Sequence, residues 1–120
     1  MVKDMSTDSI AKQKSMAFAI RIVRLYQYLK EEHKEYVTSK QILRSGTSIG
    51  ANIAEAVYGS SRKDFAAKLQ IAAKEAAETI YWLELLNSCS YIPDQLYRSL
   101  HSDCTELLAI LSATIRSCEN

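Results

Sequence analysis

Two glycines four residues apart, inside a stretch that otherwise reads as helix, constrain this chain more than any other feature. The stretch is RSGTSIGANIAE, Arg44 to Glu55, and the glycines are Gly46 and Gly50. At about 100° of turn per residue, Ile42, Gly46, Ile49, Gly50, Ile53 and Val57 share one helical face. A glycine in a helix interior costs about 1 kcal/mol relative to alanine. On an apolar face the missing side chain has a use, because it lets another helix backbone come closer. Closely packed helices are therefore the architecture to expect. With one proline and three glycines in 120 residues there are few places to turn, which favours a few long helices over many short strands.

Four helices are predicted, near residues 9–33, 38–59, 61–88 and 93–117, behind a polar, frayed tail at 1–8. Thr38 with Gln41 three positions on is a capping-box pair opening the second helix, and Gly59 suits its end. Ser61 with Asp64 is a weaker start signal for the third, and Pro93 fits the first turn of the fourth. The expected core stripes are Phe18, Ile22, Leu25 and Leu29 on the first helix and Phe65, Leu69, Ala72, Ala76, Ile80 and Leu83 on the third. The last helix offers Leu96, Leu100, Cys104, Leu107, Leu111 and Ile115. Short links between four such helices imply an all-α fold, an up-and-down antiparallel four-helix bundle forming one domain over 9–118. The small residues Gly46, Gly50, Ala72 and Ala76 would let the second and third helices pack tightly against each other.

Bulk charge decides nothing about nucleic acid, since the chain is formally +1. The first sixty residues carry only a slight basic excess, and the remainder a slight acidic one. Cys89, Cys104 and Cys118 are odd in number and lack CxxC spacing, which fits reduced thiols in a cytoplasmic protein. No apolar run approaches the roughly 20 residues that span a bilayer, and the N-terminus does not read as a signal peptide, so no membrane partner is expected.

Catalytic and metal chemistry find little support. His33 and His101 are the only histidines and stand in separate segments, and no Glu-x-x-His occurs on any helix. His101 and Cys104 are three apart, but Cys104 belongs to the Leu100–Leu107 stripe, where a cysteine acts as a small apolar residue. Ser9-x-x-Lys12 and Ser60-x-x-Lys63 lack the companion motifs of a penicillin-binding site, and Gly46 and Gly50 lack the lysine of a phosphate loop. The expectation is no enzyme, no catalytic residue, no metal and no cofactor.

The outward faces say more. Met16, Ile20 and Val23 lie opposite the Phe18 stripe, and Ile71, Trp82 and Leu85, interrupted by Glu75 and Glu78, form a second stripe on the third helix. One helix of a bundle needs one buried face, so second apolar stripes on diagonal helices predict a head-to-tail cyclic homo-oligomer. The interface set is Met16, Ile20, Val23, Ile71, Glu78, Trp82 and Leu85. A polar set, Arg44, Ser48, Asn52, Glu55 and Glu75, lies off the glycine face. Arg44 and Glu55 are too far apart to pair within one helix, so each is free either to meet a neighbour, Glu75 or Glu78 in the case of Arg44, or to stay solvated. A basic flank with Lys14, Arg21, Arg24 and Tyr28 is the candidate nucleic-acid contact, repeated by symmetry in a ring.

Three segments carry a resemblance: FAIRIVRLYQYLK (Phe18–Lys30), SKQILRSGTSIGANIAEA (Ser39–Ala56) and KDFAAKLQIAAKEAAETIYWLELL (Lys63–Leu86). In order and spacing they resemble a bacterial family, the four-helix bundle or 23S ribosomal RNA intervening-sequence proteins. The last helix matches only in pattern. The resemblance implies a four-helix bundle and a five-membered ring. A related protein, the accessory protein of diversity-generating retroelements, implies RNA, DNA or a reverse transcriptase-type protein as partner, although that relative is basic and this chain nearly neutral. The function expected is a non-enzymatic, ring-forming scaffold or adaptor for nucleic acid or a nucleoprotein. The alternative is a purely protein-binding assembly module. Fold alone supplies no activity.

Overall fold

Four helices make up the regular structure of the described residues: α1 (Met5–His33), α2 (Thr38–Ala56), α3 (Arg62–Ser88) and α4 (Asp94–Ser117). They come from a computed structural model that describes the backbone of residues 5–119 and the side chains of residues 10–119. The polar tail expected at 1–8 overlaps the first turn of α1 at residues 5–8, and residues 1–4 lie outside the described residues. No strand occurs among the described residues.

The packing is that of an up-and-down bundle. Each helix packs against its two neighbours, α1 with α2 and α4, and α3 with α2 and α4, and among the described residues the backbones of neither diagonal pair approach each other closely. The bundle is 45 Å long and 20 × 18 Å across. Residue pairing shows the antiparallel sense: Ile22 and Ser15 of α1 face Gly46 and Gly50 of α2, while Ser45 and Glu55 of α2 meet Thr79 and Lys68 of α3.

The two helical glycines do not serve the pair expected. A β-carbon on Gly46 would stand 2.8 Å from Ile22 Cγ1, and one on Gly50 would stand 3.2 Å from Ser15 Oγ. Both glycines therefore let α1, not α3, close onto α2. The α2–α3 seam is joined instead by a buried hydrogen bond of 2.9 Å between the Thr79 and Ser45 hydroxyls. Ala76 has its own use, since the Cys104 thiol of α4 reaches its carbonyl at 3.4 Å.

The core follows the predicted stripes with one systematic shift. Phe18, Ile22, Leu29, Ile42, Ile49, Ile53, Phe65, Leu69, Leu83, Leu100, Leu107 and Leu111 are all buried. On α3, however, the stripe keeps alternating steps of four and three residues, so Thr79 and Leu86 are buried and Ile80 is only partly covered. That alternation is the repeat of helices crossing at shallow angles. Val57, Leu96 and Ile115 are likewise half-buried, while Ala56, Ile92 and Thr114 are inside.

The turns carry a second correction. α1 ends on Lys34 in the left-handed region (φ 54°), and the Glu35 N–H reaches back to the Leu29 carbonyl at 3.0 Å. That bond spans one residue more than a Schellman pairing and closes the helix without glycine. It leaves the Glu35 carboxylate beneath the start of α2, where it accepts from the N–H groups of Val37, Thr38 and Ser39 at 3.3, 3.0 and 2.7 Å. Val37 occupies the cap position and its side chain caps nothing, so the Thr38–Gln41 capping box does not form. The weaker signal is the real one: Ser61 caps α3, accepting from Asp64 N–H at 3.1 Å. Gly59 is not left-handed; a β-carbon there would crowd Asp64 Cβ and Phe65 N at 3.1 Å. α4 begins one residue after Pro93, and α3 ends on a left-handed Ser90 (φ 65°).

Candidate functional site

Among the described residues the exposed large apolar side chains fall at the interhelical turns, at Tyr36, Val37 and Tyr58, and on the outer sides of α1 and α3. On α1, Met16 is 63% exposed, and Ile20 and Val23 are exposed beside it, lining a shallow trough with Ala19, Arg24 and Gln27. On α3 the exposed apolar residues are Ile71 and Tyr81. Trp82 and Leu85, expected in this stripe, are half-buried. The Trp82 ring packs partly on the core and its indole N–H donates to Glu78 at 2.9 Å, while Tyr81 stacks edge-on to it at 5.0 Å. The register shift on α3 explains the exchange: with Thr79 and Leu83 inward, Tyr81 points out.

Ile71 also opens into a concavity of about 550 Å³ where α2 hands over to α3, lined by Glu55, Tyr58, Asp64 and Lys68 among others. Tyr58, 86% exposed at its rim, was not singled out in the sequence. The signal was its place just past the last core residue of α2, where nothing remains to pack on.

The five-residue polar set divides into separate groups. Arg44 reaches across the seam to Glu75 at 3.1 Å and to Glu78, so one guanidinium bridges two carboxylates one turn apart. The Trp82 N–H and then Arg44 hold the Glu78 carboxyl below its ordinary value, and the Glu78 and Glu75 carboxylates raise Arg44. Glu78, counted with the interface in the sequence, is thus the joint between Arg44 and Trp82. Glu55 pairs elsewhere, with Lys68 at 2.8 Å. Asn52 donates to the Ser48 carbonyl of its own helix at 2.9 Å.

The basic flank is mostly occupied. Lys14 pairs with Glu106 at 3.2 Å and Arg21 with Asp103 at 2.7 Å, both across the α1–α4 seam. Tyr28 turns to His33, its hydroxyl 3.1 Å from Nε2, and His33 in turn stands edge-on to Tyr91. Only Arg24 of the expected four is exposed and without an ion pair among the described residues.

The His101–Cys104 pair does not assemble. His101 contacts Tyr97 and Thr105 instead. Burial, with the Asp103 carboxylate adding to it, pushes the Cys104 thiol up to about 12, so it stays protonated. Among the described residues no three His, Cys, Asp or Glu side chains converge, and no helix is long and apolar enough to cross a membrane.

Comparison with known proteins adds a family and a fold neighbour. Residues 7–113 match the family model described as 23S rRNA-intervening sequence protein. A crystal structure of a protein of unknown function from the S23 ribosomal protein family of Bacteroides thetaiotaomicron is similar, with 55% sequence identity and a TM-score of 0.90. That likeness covers 92% of this chain and 98% of the other. No curated protein matches the chain.

Proposed function

The chain belongs to the 23S rRNA-intervening sequence protein family, and from that premise we propose that it is a non-enzymatic cytoplasmic scaffold whose copies close head-to-tail into a ring. The observation that carries the reading is the pair of uncovered apolar strips, Met16, Ile20 and Val23 on α1 and Ile71 with Tyr81 on α3. α1 and α3 stand on a diagonal of the bundle, each packed between α2 and α4, so the strips look out on opposite sides. Two different patches on opposite sides are what a heterologous, closing interface uses. The resemblance implies five copies. Native mass spectrometry and sedimentation at micromolar concentration test this: a closed cyclic mass supports it and a single-chain mass ends it. Ile20→Asp and Ile71→Asp should each give helical single chains.

The ring presents its surface to a macromolecular partner, RNA, DNA or a nucleoprotein such as a reverse transcriptase-type protein. The purely protein-binding reading gains from one observation: Lys14 and Arg21 are already matched to Glu106 and Asp103. Gel shifts of the assembled protein with single-stranded and duplex RNA and DNA, across a salt series, decide between them. Phosphate contact gives retention that falls steeply with salt. No retention at low salt leaves the protein-binding module.

A further inference from the structure

We propose that Arg24 of one copy binds Tyr81 and Glu84 of the next, and that this contact sets the register of the ring. The inference rests on the ring reading and goes past it to name the contact. Arg24 lines the apolar trough of α1 and is exposed with no ion pair among the described residues. Glu84 is exposed on the outward face of α3, three residues beyond Tyr81, and it too has no ion pair among the described residues. Of the other charges beside the two strips, Lys14 and Arg21 are matched by α4 and Glu75 and Glu78 by Arg44. Lys74, exposed on α3, lies seven residues before Tyr81, about two turns from the level of Arg24.

The heights agree. Ile22 faces Gly46, Ser45 bonds Thr79, Ala76 meets Cys104, and Asp103 pairs with Arg21, a circuit of contacts at one level around the bundle. That circuit puts Ile20 of α1 level with Ala77 of α3, and Arg24 level with Tyr81. α1 and α3 run in the same direction, and rotation about an axis along the bundle adds no shift in height. In such a ring Ile20 meets a small residue, Ala77, while the Arg24 guanidinium lies against the Tyr81 ring within a turn of Glu84. Arginine over an aromatic face, with a carboxylate at the end, joins two favourable contacts. The alternative, α1 against α1 about a twofold axis through Ile20, sets Arg24 beside Met16 with no carboxylate in reach. Bringing Glu31 opposite Arg24 would carry Met16 and Ile20 off the interface.

The test is charge reversal in the full chain, read by native mass spectrometry and sedimentation at moderate salt, with circular dichroism to confirm helicity. Arg24→Glu and Glu84→Arg should each raise the concentration at which the ring dissociates by roughly tenfold or more, since like charges then face each other at every interface. The chain carrying both changes should recover the wild-type mass and stability. The neutral variants Arg24→Gln and Glu84→Gln form a milder cycle, in which the second change adds little to the first. Wild-type rings in all variants overturn the pair and leave the ring standing. Single variants that dissociate without rescue in the double also overturn the pair. A single-chain or two-chain mass for the wild type removes the ring, and the register with it.

Discussion

Ile22 occupies the space that a side chain on Gly46 would need: both of its γ-carbons lie within 3 Å of where that β-carbon would be. A branched side chain fixed in one rotamer cannot step aside. Gly46→Ala should therefore destabilise the bundle by about 1–3 kcal/mol despite the gain in helix propensity. In that background Ile22→Ala should cost less than it does in the wild type, a coupling that denaturant midpoints will show. Gly50→Ala, whose nearest neighbour is the small Ser15 hydroxyl, should be close to neutral.

Glu35 is the start signal of α2, and its removal should tell. Glu35→Ala should cost about 1 kcal/mol, as loss of a capping group does. Burial alone would push this carboxyl up, but the N–H donors of Thr38, Ser39 and Val37 outweigh it and hold the group below its ordinary value. A carboxyl depressed by folding stabilises above its unfolded pKa, and that contribution is lost as pH falls through the folded one. The melting-temperature gap between wild type and Glu35→Gln should thus be full at neutral pH and close in acid. A gap that persists in acid would show that charge is not the cause.

The Ser45–Thr79 hydrogen bond lies wholly inside the α2–α3 seam. Thr79→Val should cost about 1–2 kcal/mol, because it leaves the Ser45 hydroxyl buried without its partner. Adding Ser45→Ala should return part of that loss. Additive costs in chemical unfolding would mean that the two hydroxyls do not depend on each other.

Lys34 and Ser90 hold left-handed conformations that glycine adopts freely. Lys34→Gly and Ser90→Gly should each raise stability, by about 0.5–1 kcal/mol, with no change in assembly. Thermal melts of the two variants check this directly.

Much of the bundle was legible because its information is periodic and local. The Phe18–Leu29 and Leu100–Leu111 stripes needed only helical spacing to be found. What failed needed three dimensions. On α3 a run of apolar candidates let Ile80 look as good as Thr79, and only the neighbour's Ser45 decides which is inside. Thr38 carried the right residue type for a cap, but a left-handed Lys34 brought Glu35 there first. The glycines announced close approach without naming the helix that approaches. For the candidate site, Met16, Ile20 and Val23 were readable as a second stripe. The loss of Lys14 and Arg21 to ion pairs was not, because their carboxylates lie some eighty to ninety residues away in α4.

The seam between α1 and α4 has a meaning for time as well as for structure. The other three packing pairs join helices that follow one another along the chain, so little loop entropy opposes their formation. α1 and α4 are brought together from the two ends of the sequence, so the Lys14–Glu106 and Arg21–Asp103 bridges are expected to form after the other three pairs. Contacts made after the rate-limiting barrier hold the native state against escape without helping it form. Weakening this seam, by Arg21→Gln or by added salt, should leave the speed of folding nearly unchanged and shorten the lifetime of the folded chain.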